Sequence, residues 1–130
     1  MNNGKTALAL LLAAAALLGS GAATAAEPEV MIGDIDDLSG NYADVMGAGG
    51  VEAIKMAIAD FGGTVLGRKI SVLVTDHQNK PDVGATKFRE WADQSGLNMV
   101  LGGSNSGVSI AMAKVATAKK VPFFAIGAGG

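Results

Sequence analysis

Four short apolar runs, separated by three stretches of helical periodicity, constrain this chain more than any other feature. The runs are Glu29–Gly33, Ile70–Thr75, Asn98–Gly102 and Val121–Ile126. Each is mostly continuous rather than alternating, the pattern of strands buried on both faces of a parallel sheet. Pro122 falls near the start of its run, where a strand tolerates a missing N–H. Between the first two runs, Val51, Ile54, Ile58 and Phe61 fall on one helical face. Gly62-Gly63 ends that helix. Pro81 opens the second helix, with Asp82 in its first turn, where the helix dipole favours an anion. Phe88, Trp91 and Ala92 form its apolar stripe, and Gly96 stops it. Val108, Ala111, Met112 and Val115 mark the third helix, with Lys114, Lys119 and Lys120 toward its C-terminal end.

The order β-α-β-α-β-α-β with right-handed crossovers predicts an α/β fold: an open parallel sheet with helices on both faces. Gly62 to Lys69 reads as a connection, with Gly67 in a turn. The fourth strand is expected at an uncovered apolar edge, which predicts poor solubility or self-association.

Residues 1–25 carry the marks of a secretory signal peptide, leaving residues 26–130 as the mature domain. Lys5 supplies a charged start, Ala7 to Leu18 is a continuous apolar run, and Ala23-Thr24-Ala25 is a small-residue cleavage pattern. That run has twelve residues, whereas spanning a bilayer takes ~20. Cysteine is absent, which excludes disulfides, thiolate metal sites, thiol nucleophiles and a lipid-modified cysteine. A single histidine rules out a multi-histidine metal site within this chain. The net charge of −2 argues against a nucleic-acid partner, which needs a basic face. No cofactor is expected. A secreted, cysteine-free, mildly acidic chain suits a bacterial periplasm.

In open α/β sheets, ligands bind beyond the carboxyl ends of the strands. Each strand here is followed there by small or polar residues: Leu38–Tyr42, Asp76–Asn79, Gly103–Gly107 and Gly127–Gly130. The third loop carries hydroxyls and an amide at a helix start, where free N–H groups favour an anion such as a ligand carboxylate. Ser104, Asn105 or Ser106 can equally cap that helix, and the two roles are compatible.

Sharper motifs fail on inspection. Gly47-Ala48-Gly49-Gly50 resembles a dinucleotide fingerprint, but Glu52 stands where the third glycine belongs. Helix packing or a tight start to the helix explains the run better. Gly102 to Gly107 has Walker A glycine spacing, but Val108 replaces the lysine. Ser104 lacks the closing glycine of a nucleophile elbow. Asp34, Asp36 and Asp37 read as solvated loop acids rather than a metal site, His77 as a loop or capping residue, and Trp91 as packing.

Taken together, the chain resembles the type I periplasmic solute-binding proteins of ABC importers, in the branched-chain amino acid (leucine-binding-protein-like) group. The resemblance runs from Val30 to Gly130. Its carriers are Ile32-Gly33, Asp37-Leu38-Ser39-Gly40, Tyr42-Ala43-Asp44, Gly50-Val51-Glu52-Ala53, Leu66–Ile70, Asp76–Pro81, Gly102–Ser106 and the final Ala128-Gly129-Gly130. It implies a non-enzymatic protein that captures a small carboxylate, an amino acid or an aromatic acid, and delivers it to a membrane permease. It also implies ligand contacts from Ser104, Asn105 and Ser106, from Ala128 and Gly130 through backbone donors, and from Tyr42 as lid or stacking partner.

Family members have two lobes, so the resemblance makes residues 26–130 a partial N-terminal lobe, a fragment or truncated product. On that reading the chain alone binds ligand no better than about millimolar. Two other readings share the α/β pattern. A nucleotide-dependent enzyme with a Rossmann-like half would be stabilised by NAD or ATP. A ligand-sensing extracellular receptor domain would precede a transmembrane segment.

Overall fold

The computed structural model describes residues 28–129. The leader expected over residues 1–25 and Gly130 lie outside them. The elements run in the order β1 (Val30–Asp36), α1 (Gly47–Asp60), β2 (Thr64–Val65), β3 (Arg68–Asp76), α2 (Pro81–Gln94), β4 (Leu97–Gly102), α3 (Ser106–Lys119) and β5 (Phe123–Ala125). The sheet order is β2-β3-β1-β4-β5. β1, β3, β4 and β5 are mutually parallel, as the continuous apolar runs predict. β1 pairs with β3 from Val30↔Ile70 to Asp36↔Asp76, and with β4 as far as Ile35↔Gly102.

Period-two alternation along β1 divides the two faces. Gly33 and Ile35 turn toward α2 and α3, where the buried core lies: Ile35, Phe88, Trp91, Leu97, Val100, Val108, Met112 and Val115. Phe88 meets Phe123 edge-on, with ring centroids 6.1 Å apart. A Cβ at Gly33 would stand 3.1 Å from both Trp91 and Leu97, so the bare backbone lets the indole lie against the strand. On the other face Ile32, Ile70 and Leu101 line a cleft with Ile54, Ala57, Ile58 and Phe61 of the α1 side. Helices therefore cover both faces. α1 is the looser cover: Gly47 is its only buried residue. Phe61, expected on the packed stripe, is instead the C-cap and stays 66% exposed.

The helix ends follow the sequence signals. At the end of α1, Gly62 N–H donates to Ala59 O and Gly63 N–H to Ile58 O, a Schellman pair made with positive φ at both glycines. Pro81 opens α2 and Asp82 lies in its first turn. β5 lies at the sheet edge with Phe124 exposed, as expected of the fourth run.

One expectation is corrected. Gly62 to Lys69 is more than a connection, because Thr64 and Val65 pair antiparallel with Lys69 and Arg68. Leu66 and Gly67 form the two-residue turn, with φ of 51° and 76°. Positive φ at both positions is the turn that follows strand twist, and it favours Asn-Gly over Leu-Gly. Leu66→Asn is therefore expected to raise stability by about 1 kcal/mol, read by urea unfolding. A lower midpoint would show that the exposed leucine contributes packing after all.

Candidate functional site

The sheet order reverses beside β1. The chain leaves β1 through α1 to reach β3 on one side, and leaves β4 through α3 to reach β5 on the other. The crevice between the carboxyl ends of β1 and β4 is thus a topological switch point, the usual ligand position in such sheets. Its walls are the loop after β1, the segment from Gly103 to Asn105 and the start of α3.

Buried carboxylates organise the first wall. Asp37 is fully buried, and its oxygens accept the N–H groups of Gly40 at 2.8 Å and Tyr42 at 3.0 Å. Gly40 must be bare, since a Cβ would lie 2.6 Å from that carboxylate. The arrangement fixes the backbone of Tyr42 and leaves its ring partly exposed. Asp76 ties the loops after β1 and β3 together by accepting from Leu38 N–H (3.0 Å), Ser39 Oγ (2.5 Å) and Gln78 N–H (2.7 Å). Burial works against ionisation of Asp76, but the bonds from Ser39, Gln78 and Leu38, with His77 nearby, hold its carboxyl below the ordinary value.

The second wall is pinned to β1. Gly103 N–H donates to Ile35 O at 2.9 Å, and Ser104 N–H donates to Asp36 Oδ1 at 3.0 Å. Ser104 is buried, yet its Oγ has no hydrogen-bond partner. Of the two capping candidates beside it, Asn105 does the capping: its Oδ1 accepts Val108 N–H at 3.0 Å. Ser106 is the first residue of α3. Among the described residues the N–H groups of Ser106 and Gly107 find no acceptor, leaving the helix N-terminus open to an anion.

The structure therefore brings Ser104, Asn105 and Ser106 together at the switch point. Tyr42 and Ala128 stand on flanking segments. A Cβ at Gly127 would lie 3.8 Å from the Met46 side chain, so the segment after β5 runs beside the end of the β1 loop. Gly130 is outside the described residues.

Three acids depart from expectation. Asp34, Asp36 and Asp37 are not the solvated loop residues that the sequence predicts: all are buried. Asp34 and Asp36 are buried because parallel pairing carries β1 through Asp36, and Asp37 because the following loop folds around its carboxylate. Burial first, and the Asp36 charge second, push the Asp34 carboxyl up to about 6. His77 is also fully buried. It does cap its loop, since Nδ1 accepts Asn79 N–H at 3.0 Å. Burial pushes the imidazole below its ordinary value, against the pull of Asp36, Asp37 and Asp76. Among the described residues no group of three or more potential ligands could hold a metal ion. The residue that sequence reasoning missed is Asp36, the anchor of Ser104. The only available signal was an acid too near the end of a buried run to be loop.

The glycine run Gly47–Gly50 forms the first turn of α1. A Cβ at Gly47 would lie 3.2 Å from Asp37 O, whereas nothing stands within 4 Å at Gly49 or Gly50. The run serves the helix start, not a dinucleotide turn.

A family model described as periplasmic binding protein matches residues 29–130. The chain belongs to the periplasmic binding protein family. Among solved structures it is similar to a periplasmic binding protein of Burkholderia mallei, at 54% identity and a TM-score of 0.76, covering 78% of this chain and 27% of that one. A branched-chain amino acid ABC transporter periplasmic ligand-binding protein of Burkholderia xenovorans is 36% identical with a TM-score of 0.72, covering 75% of this chain and 26% of that one. The solute-binding protein of an ABC transporter from Rhodopseudomonas palustris, solved with 3,4-dihydroxybenzoic acid, is 31% identical with a TM-score of 0.74, covering 79% and 28%. All three are binding proteins, not enzymes. This periplasmic binding protein chain spans about a quarter of their length. No curated protein matches it.

Proposed function

We propose that the chain contributes the carboxylate-binding wall of a solute site in the periplasmic component of an ABC importer. The solute class is a small carboxylate, either an amino acid or an aromatic acid. The observation that carries this reading is the buried Ser104 Oγ without a partner, beside an open helix N-terminus at the switch point. A buried hydroxyl left unpaired costs about 1–3 kcal/mol, and a ligand oxygen recovers that. The family membership and the dihydroxybenzoate-bound relative support the same class. Tyr42 is proposed as lid or stacking partner, and Ala128 and Gly130 as backbone donors. A membrane permease is the proposed partner. The leader-like residues 1–25 support export to the periplasm, the compartment in which the family is named.

The chain is expected to bind 3,4-dihydroxybenzoate or leucine at about millimolar strength, and the matching carboxamides, which lack the carboxylate, more weakly. Ser104→Ala is expected to weaken carboxylate binding about tenfold, the loss of one hydrogen bond to a charged group. Titration calorimetry with each pair reads both effects. Equal affinity for acid and amide, or an unaffected Ser104→Ala variant, would contradict the assignment.

A further inference from the structure

The loop after β3 holds a buried side chain that the solute site does not use directly. His77 is fully buried at the end of β3, and α2 closes over it through Gly84, where a Cβ would stand 3.6 Å from His77 Cβ. Nδ1 accepts Asn79 N–H, so in the neutral ring the proton sits on Nε2. Nε2 has no hydrogen-bond partner, and Asp36 Oδ1 lies 4.0 Å from it. Asp36 Oδ1 is the same atom that accepts Ser104 N–H. Three elements thus converge on one buried oxygen: the end of β3, the end of β1 and the segment leading into α3.

We propose that His77 and Asp36 are positioning residues for Ser104: Asp36 holds the Ser104 backbone so that its hydroxyl stays free for ligand, and His77 sets the charge on that hold. This deepens the solute-site reading and rests on it. The chemistry makes the hold pH-dependent. Protonation of His77 places a proton on Nδ1, where it opposes the Asn79 N–H donor, and sets an imidazolium against Asp36. The cation draws on Oδ1 and weakens its bond to Ser104 N–H. The charged groups acting on the ring are Asp36 from β1, Asp37 from the following loop and Asp76 from β3. α2 presents the bare Gly84 to it. Asp34 lies one pleat away from Asp36 and its carboxyl is pushed up to about 6, so Asp34→Asn serves to separate its titration from that of His77.

The test follows amide and imidazole resonances of the full chain by NMR as pH is lowered, with no ligand present. The Ser104 amide proton is expected to move upfield with the midpoint of the His77 ring carbons, below the ordinary histidine value. The movement is expected to persist in Asp34→Asn and to vanish in His77→Gln. A Ser104 amide that stays flat through the His77 titration, or that still moves in His77→Gln, overturns the proposal. Amide exchange supplies a second reading. Ser104 is expected to exchange at least tenfold faster in Asp36→Ala, with protection partly restored in Asp36→Asn, whose Oδ1 still accepts. Equal protection in Asp36→Ala also overturns it. Carboxylate addition is read as a separate arm. If Ser104 follows His77 but ignores carboxylates, the solute-site reading fails and the hold stands. If carboxylates bind but Ser104 ignores His77, the reverse holds.

Discussion

Gly102→Ala is expected to lose on the order of 4 kcal/mol of stability, the combined scale of backbone strain and overpacking. The residue ends β4 with φ of +121°, a region that L side chains rarely adopt. An added Cβ would fall 2.2 Å from Ile35 O and 2.8 Å from its carbonyl carbon. Relaxation is blocked on both sides. Gly102 O accepts Ile126 N–H at 2.9 Å, and the next N–H, from Gly103, donates to Ile35 O at 2.9 Å. Moving the backbone to relieve the clash therefore unpicks β1 from β4 at the switch point. It also displaces Ser104, so carboxylate binding is expected to vanish in whatever fraction still folds. Gly49→Ala is the contrasting control. That glycine is helical with open space around it, and the exchange is expected to add about 0.5–1 kcal/mol. Urea unfolding of both variants checks the pair. A mild loss in Gly102→Ala would show that β1 and β4 do not approach as described.

Asp34→Asn is expected to stabilise the chain by about 2 kcal/mol at about pH 7 and far less in mild acid. Asp34 is 2% exposed in the middle of the sheet. Burial, reinforced by the Asp36 charge, raises its carboxyl from 3.8 to about 6. The folded chain therefore keeps a proton that the unfolded chain releases between those values. The stabilisation from this group is complete below about 3.8 and is lost as pH rises through about 6. At neutral pH the native state carries a buried charge, and the isosteric amide removes it. Unfolding curves across this range for the wild type and Asp34→Asn test the sign. A variant that is less stable at neutral pH would show that the carboxylate has a compensating donor.

Much of the fold was legible because its strands are buried on both faces. The four runs needed only to be apolar and bounded by glycine or polar residues to mark the parallel strands. Pro81, Gly62-Gly63 and Gly96 marked helix ends because each meets a fixed backbone demand. The β2–β3 hairpin was not legible. Two residues of strand are too few for a pattern, and Leu66 disguises a turn that asks for asparagine. Asp34, Asp36 and Asp37 were misread for a general reason. Acids are rarely buried without partners. For Asp36 the partner is the backbone N–H of Ser104 and for Asp37 those of Gly40 and Tyr42, none of which carries a letter in the sequence. Asp34 is buried by the strands that pair β1 on both sides. At the site, the loop from Gly103 to Gly107 was recognisable. Which residue caps and which stays free was not. That division depends on Asp36 taking the Ser104 amide, a contact across 68 positions of chain.

The most direct measurement is a map of backbone amide shifts as 3,4-dihydroxybenzoate is added to the chain. The largest movements are expected at Ser104, Ser106 and Gly107, with smaller ones along the Tyr42 loop. An anion drawn only by surface charge would go elsewhere, to the cleft where Arg89 of α2 faces Lys114 and Lys119 of α3. Shifts confined to those basic residues, with the start of α3 unmoved, would contradict the placement of the carboxylate at the switch point.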